Sequence, residues 1–293
     1  MLTPSTRRAA VLGSPISHSL SPALHGAAYR ALGLSNWLYD AHEVRPPALR
    51  DFVTRLGPEW AGLSLTMPLK EAAFELADEV SDLARQVGAI NTLVRLPDGG
   101  WSGDNTDVYG VSQALREAGC AHVASAVVLG SGATARSVVA ALAMLGCQSV
   151  TFGVRSAARR ETLDQARRAG LEVDVVGLCD FADRVGDAPV VVSTLPANAL
   201  PERMLFEGSR LQGHLFLDVV YAGWPTPLAR TFEEAGASVV SGFEMLVHQG
   251  AEQVHLMTGL VAPIEPMRAA GLAAMAAMAA MAARNARNAM ESP

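Results

Sequence analysis

The apolar run Ala126-Val127-Val128-Leu129 leads directly into Gly130-Ser131-Gly132-Ala133-Thr134-Ala135. A helix-favouring stretch follows to Gly146, and a second apolar run occupies Val150–Val154. Strand, glycine turn, helix and strand in that order form a βαβ unit with parallel strands. Gly130 permits the tight turn, and Gly132 allows a pyrophosphate to approach the backbone. Ala135 lets the helix pack close to the strand, and the amides at the helix start face the anion. The G-x-G-x-x-A pattern alone is weak. Its placement between two strands makes dinucleotide binding the favoured reading.

The residues that should discriminate between cofactors lie at the end of the second strand. An Asp or Glu there would hold a ribose 2′-hydroxyl. The chain instead reads Gly153-Val154-Arg155-Ser156-Ala157-Ala158-Arg159-Arg160, and no acid occurs before Glu161. Arg155, Ser156 and Arg159 suit a 2′-phosphate, held by charge-assisted hydrogen bonds. NADP is therefore the expected cofactor.

Further apolar runs at Val173–Val176, Pro189–Val192, Leu215–Val220 and Ser238–Val240 extend the βαβ unit. With Ala126–Leu129 and Val150–Val154 they predict a doubly wound sheet buried on both faces. The first hundred residues also alternate. Strands are predicted at Ala9–Leu12, Trp37–Val44, Gly62–Leu65 and Thr92–Leu96. Helices are predicted at Pro22–Leu32, Pro47–Leu56, Leu69–Glu79 and Asp82–Val87. That alternation implies a second, mainly parallel α/β sheet. Helices are also expected over Val108–Ala118 and Phe243–Gly259, and Pro97-Asp98-Gly99-Gly100 is a turn signal.

Composition narrows the classes. The 293 residues carry 23 Lys and Arg against 29 Asp and Glu, a formal charge of −6. Such a chain has no global basic field, so nucleic acid is not an expected partner. Cys120, Cys147 and Cys179 form no C-x-x-C pair and suit a reducing, cytoplasmic compartment. The seven histidines form no H-E-x-x-H pattern, and no metal site is expected. The N-terminal apolar run is too short for a signal sequence. The Ala- and Met-rich stretch Ala269–Ala283 is expected to fall short of a membrane span and to form a surface helix. Lys70 is the only lysine in the chain; the other basic residues are all arginine. A partly buried lysine can give up its proton and an arginine cannot, which makes Lys70 a candidate for chemistry.

Four polar clusters remain: Ser17-His18-Ser19-Leu20-Ser21-Pro22, Thr66-Met67-Pro68-Leu69-Lys70, Gly88-Ala89-Ile90-Asn91-Thr92 and Gly103-Asp104-Asn105-Thr106-Asp107. With the glycine loop and Gly242-Phe243-Glu244-Met245-Leu246-Val247-His248-Gln249, they make six ordered motifs spanning nearly the whole chain. Together they resemble the shikimate dehydrogenase family. The resemblance implies an N-terminal α/β substrate domain, 1–107 with 243–293, and a Rossmann-type doubly wound NADP-binding domain, 108–242. It implies reversible reduction of 3-dehydroshikimate to shikimate, in the route to aromatic amino acids, by a monomer or homodimer.

By resemblance, Lys70 and Asp107 are the catalytic pair. Ser19 and Ser21 hold the substrate carboxylate, with Tyr221 close by. Thr66, Asn91, Asp107 and Gln249 bind the ring hydroxyls. Gly130, Ser131, Gly132 and Ala133 take the pyrophosphate, and Arg155, Ser156 and Arg159 take the 2′-phosphate. Thr194, Val219 and Gly242 line the nicotinamide, and Asp82 stands near the cofactor. The chain departs from the family pattern at Ser64, where asparagine is usual, at Val108, where glycine is usual, and at Met257, where tryptophan is frequent. Ser64 leaves two alternatives to shikimate, quinate and an aminated analogue. A catalytically silent NADP-binding module is the reading from another class, and its expected mark is loss of the lysine or aspartate.

Overall fold

A computed structural model describes residues 5–197, 199 and 211–291. In chain order the first elements are β1 (Arg7–Gly13), α1 (Ser21–Ala31), β2 (Trp37–Glu43), α2 (Pro46–Thr54) and β3 (Trp60–Leu65). Then come β4 (Glu79–Val80), α3 (Asp82–Val87), β5 (Thr92–Arg95), β6 (Trp101–Asp104) and α4 (Asp107–Glu117). The middle of the chain forms β7 (Ser125–Leu129), α5 (Ala133–Met144), β8 (Ser149–Val154), α6 (Arg160–Arg168), β9 (Glu172–Gly177), α7 (Ala182–Val185) and β10 (Val190–Ser193). The last elements are β11 (Leu215–Asp218), α8 (Pro227–Glu234), β12 (Ser238–Ser241), α9 (Gly242–Thr258) and α10 (Ile264–Glu291).

Two compact units result. One comprises Met1–Val80, Ile90–Asp104 and Gly250–Pro293, the other Ser81–Ala89 and Asn105–Gln249. Packing explains their edges. Val87 and Ala89 are fully buried in the same core cluster as Val108, Val111 and Val138, so 81–89 joins the second unit.

The sheet of the first unit has the order β2-β1-β3-β5-β6-β4. β1 is an inner strand, with Ala9 to Leu12 buried and parallel partners on either side. Three of its five pairings are parallel, as expected of a mainly parallel sheet, while β3–β5 and β5–β6 pair antiparallel. The turn Pro97–Gly100 accounts for the antiparallel β5–β6 pair. Leu96 and Gly100 close it with a 2.9 Å hydrogen bond, and so short a link can join only antiparallel strands. The helix expected over Leu69–Glu79 is reduced to a 3-10 turn, Ala72–Glu75. An α-helix would place the Phe74 amide on the Lys70 carbonyl. That carbonyl accepts from Ile90 N–H at 2.8 Å instead, and Phe74 N–H turns to Glu71 O.

The sheet of the second unit has the order β12-β11-β10-β7-β8-β9, and every pairing is parallel. Along β7, Ala126 and Val128 enter one core cluster, while Val127 and Leu129 enter another with Phe216 and Phe232. Burial on both faces accounts for the unbroken apolar runs of the sequence. Strand order reverses between β7 and β10, and the carboxyl ends of strands at such a switch point are where nucleotides bind.

α10 starts in the core of the first unit, where Met267 is fully buried, and packs along α1. The expectation that this region is too short for a membrane span is corrected: Ile264–Asn285 has 22 residues and passes on length and composition. Its apolar character comes mainly from alanine, which is only weakly hydrophobic.

Candidate active site

In the first unit the Ser17–Pro22 cluster follows β1, the Thr66–Lys70 cluster follows β3, and Asn91 lies beside the end of β3. Ser19 and Ser21 lie at the start of α1, where Ser19 Oγ accepts from the Ser21 amide at 3.3 Å. Ser21 is buried and Ser19 partly so. Three backbone bonds gather Thr66, Lys70 and Asn91. Thr66 O accepts from Leu69 N–H at 2.9 Å, Lys70 O from Ile90 N–H at 2.8 Å, and Asn91 O from Leu65 N–H at 2.7 Å. Lys70 is half-buried and Asn91 almost fully buried.

Ser64 faces a hydrogen-bonded network on the same side. Tyr39 Oη donates to Ser64 Oγ at 2.6 Å, and Ser64 Oγ donates to Gln253 Oε1 at 2.7 Å. His25 stacks on Tyr39 with ring centroids 3.8 Å apart, and its Nε2 lies 3.3 Å from Gln253 Oε1. Complete burial depresses the His25 pKa to about 3, against the opposing effect of Gln253, so the ring is neutral. Burial raises the Tyr39 pKa, keeping its phenol protonated. Sequence reasoning missed this network, whose one signal was the unusual Ser64.

In the second unit, Gly130 has φ +97, and a Cβ there would lie 2.6 Å from Thr194 Oγ1. A side chain is therefore excluded both by backbone strain and by the close approach of the β10 loop. Thr194 is anchored beside it, donating through both N–H and Oγ1 to Leu129 O. Ser131 joins this loop to α6. Its Oγ accepts from the Arg159 amide at 3.1 Å and its carbonyl from Thr162 Oγ1 at 2.8 Å. A Cβ on Gly132 would meet only open space, so its backbone has room for an approaching phosphate, with Ala133 opening α5. Arg155, Ser156 and Arg159 are exposed at the end of β8. A small-residue loop at the switch point, flanked by two unburied guanidinium groups, fits a 2′-phosphorylated dinucleotide.

Gly242 lies against Val219, and a Cβ there would strike the Val219 carbonyl oxygen. Tyr221 is half-buried in the loop after β11, and burial raises its pKa. Asp107, 5% exposed, occupies the first turn of α4, where the positive end of the helix dipole favours an anion. Next to it, Thr106 Oγ1 donates to Gln249 Oε1 at 3.4 Å. Asp82 is exposed at the start of α3 and makes no hydrogen bond or ion pair with these residues.

Two further features were not foreseen. Arg136, 4% exposed, donates to Val87 O at 2.7 Å and Gly88 O at 3.0 Å, tying α5 to the 81–89 segment. Among the described residues, Glu117, Glu244 and His248 form one group of metal-ligand type within 4.8 Å. His248 Nε2 pairs with Glu117 at 3.1 Å.

Fold and geometry together define a class: a Rossmann-type dinucleotide unit joined in one chain to an α/β unit that carries hydroxyl, amide and lysine side chains at its strand ends. Comparison with known proteins narrows it. A family model described as the shikimate dehydrogenase substrate binding domain matches residues 11–93, and the shikimate 5'-dehydrogenase C-terminal domain matches residues 242–270. The "Shikimate dehydrogenase (NADP(+))" of Methanothermobacter thermautotrophicus is 34% identical, covering 92% of this chain and 97% of its own length. The protein of that name from Methanopyrus kandleri is 38% identical, covering 89% and 93%. The crystal structure of Mycobacterium tuberculosis shikimate dehydrogenase aligns with a TM-score of 0.82 at 44% identity, covering 91% of this chain and 99% of that one. The Thermus thermophilus enzyme in complex with NADP(H) and shikimate aligns with a TM-score of 0.77 at 33% identity, covering 92% and 100%. The chain belongs to the shikimate dehydrogenase family.

Proposed function

We propose that this protein reduces 3-dehydroshikimate to shikimate, reversibly and with NADP(H), as a cytoplasmic step in the making of aromatic amino acids. The reading rests chiefly on the set at the carboxyl end of β3, where Lys70 and Asn91 are held together through the Lys70–Ile90 and Leu65–Asn91 backbone bonds. It requires one small-molecule acid and one dinucleotide, whether the chain acts as a monomer or a homodimer. Ser64 is the sequence feature that keeps quinate and aminated shikimate in the substrate comparison.

Hydride transfer is the chemistry the nicotinamide cofactor supplies when bound. Lys70 handles the proton. As ammonium it donates to the oxygen that becomes the new hydroxyl and stabilises charge developing there; as amine it accepts that proton in the reverse direction. Asp107 is the other member of the catalytic pair and orients the reacting hydroxyl. Ser19 and Ser21, with Tyr221, hold the carboxylate, and Thr66, Asn91 and Gln249 bind the remaining hydroxyls. The loop from Gly130 to Ala133 takes the pyrophosphate. Arg155, Ser156 and Arg159 clamp the 2′-phosphate, Thr194, Val219 and Gly242 flank the nicotinamide, and Asp82 stands nearby.

Replacing Lys70 by Met tests the assignment. General acid–base groups contribute about 10²–10⁴ in rate, so kcat should fall by that factor with a modest change in KM. Turnover near the wild-type rate rejects Lys70 as the proton carrier.

A further inference from the structure

We propose that Gln253 and Thr92 are positioning residues that set which end of the Asn91 amide faces the substrate. The inference rests on the reading of Asn91 as a ligand to a substrate hydroxyl. It follows from the donor and acceptor roles of the buried Gln253, Thr92 and Asn91 side chains.

Gln253, 2% exposed, lies on α9 against β5. Its Nε2 is 3.4 Å from the Asn91 backbone carbonyl and 3.1 Å from Thr92 Oγ1. A backbone carbonyl only accepts, so the NH2 end of Gln253 must face β5. Its oxygen faces the other way, towards Ser64 Oγ at 2.7 Å and His25 Nε2 at 3.3 Å. An amide nitrogen only donates, so Thr92 Oγ1 receives a hydrogen from Gln253. The single Thr92 hydroxyl proton then goes to Asn91 Oδ1, at 2.8 Å. With its oxygen engaged by Thr92, the Asn91 side chain presents its NH2 end, a donor suited to a hydroxyl or keto oxygen.

The other end of the chain reaches the proposed carboxylate cradle. Tyr39 donates to Ser64 at 2.6 Å and lies beside Ser21. The network thus runs from Tyr39, next to the carboxylate position, to Asn91, at the ring. The small Ser64 leaves space for the Gln253 amide, so α9 supplies the amide that asparagine would carry at position 64.

Steady-state kinetics with shikimate and NADP separate positioning from packing. Thr92→Val keeps the shape and loses the proton; it should raise the KM for shikimate about tenfold while the KM for NADP stays unchanged. Thr92→Ser keeps the proton and loses a methyl; it should stay within about twofold of wild type. A packing role alone reverses that order. Gln253→Glu cannot donate to Thr92 and should behave like Thr92→Val, which keeps the test intact if the valine variant fails to fold. Wild-type KM in Thr92→Val or Gln253→Glu, or a serine variant as impaired as the valine, overturns the proposal. Neutron diffraction from the unliganded wild-type protein reads the orientation without substrate. Deuterium between Thr92 Oγ1 and Asn91 Oδ1 supports it, and the Asn91 nitrogen facing Thr92 overturns it. Absence of wild-type shikimate turnover counts against the functional reading and leaves the neutron result to decide the orientation.

Discussion

Single residues are proposed to set the cofactor preference, and a single buried histidine bears on the acid sensitivity. Arg155 and Arg159 are exposed at the end of β8, where the 2′-phosphate is proposed to sit. A hydrogen bond to a charged group contributes about 1.5–3 kcal/mol, so Arg155→Ala should raise the KM for NADPH about tenfold or more and leave that for NADH nearly unchanged. Paired KM measurements with both cofactors decide it, since an equal effect on both removes the clamp. His25 gives a pH prediction with a definite sign. Its pKa is about 3 in the folded protein against 6.5 as its ordinary value, so the unfolded chain binds the extra proton first. The contribution to stability is intact above about pH 6.5 and falls by roughly 1.4 kcal/mol per pH unit between there and about pH 3. Urea unfolding across that range should show a shallower acid limb for His25→Asn than for wild type, and identical slopes would contradict the burial of a neutral ring.

Between elements, the contact of α4 with α9 depends on one glycine. A Cβ on Gly110 would lie 2.6 Å from Met245 O and 2.9 Å from Gln249 Cβ. Gly→Ala inside a helix ordinarily stabilises by about 0.5–1 kcal/mol. Here overpacking should dominate, and Gly110→Ala should destabilise by about 1–3 kcal/mol. The displaced Gln249 should also weaken shikimate binding. A raised Tm with unchanged shikimate KM would contradict the close helix approach. Elements of this kind were unevenly legible in the sequence. The inner strands of the second unit, β7, β8, β10 and β11, could be read because they are largely buried and their runs are mainly apolar. β6 was missed because Trp101-Ser102-Gly103-Asp104 is short and only alternately buried. The helix expected after Lys70 failed because a distant amide, that of Ile90, captures the carbonyl the helix needed. Local pattern cannot report such a competitor. The same holds within the site: the motifs were readable as residue types, but the chain from Tyr39 through Ser64 and Gln253 to Asn91 joins positions far apart in sequence.

At the scale of the whole molecule, two compact units divide the labour proposed for the chain. One gathers hydroxyls, an amide and the only lysine at its strand ends. The other offers a glycine loop, anchored by Thr194 and Ser131, beside two exposed arginines. Family membership joins these halves into a single account in which a cyclic hydroxy-acid and a phosphorylated nicotinamide nucleotide react together. The most direct test is a set of initial rates with shikimate and quinate, each against NADP and NAD. The account predicts that shikimate with NADP is the best of the four pairs by at least about tenfold in kcat/KM, the factor one charge-assisted contact provides. A protein that turns over quinate with NAD and leaves shikimate untouched, or that is silent with all four pairs, would contradict it.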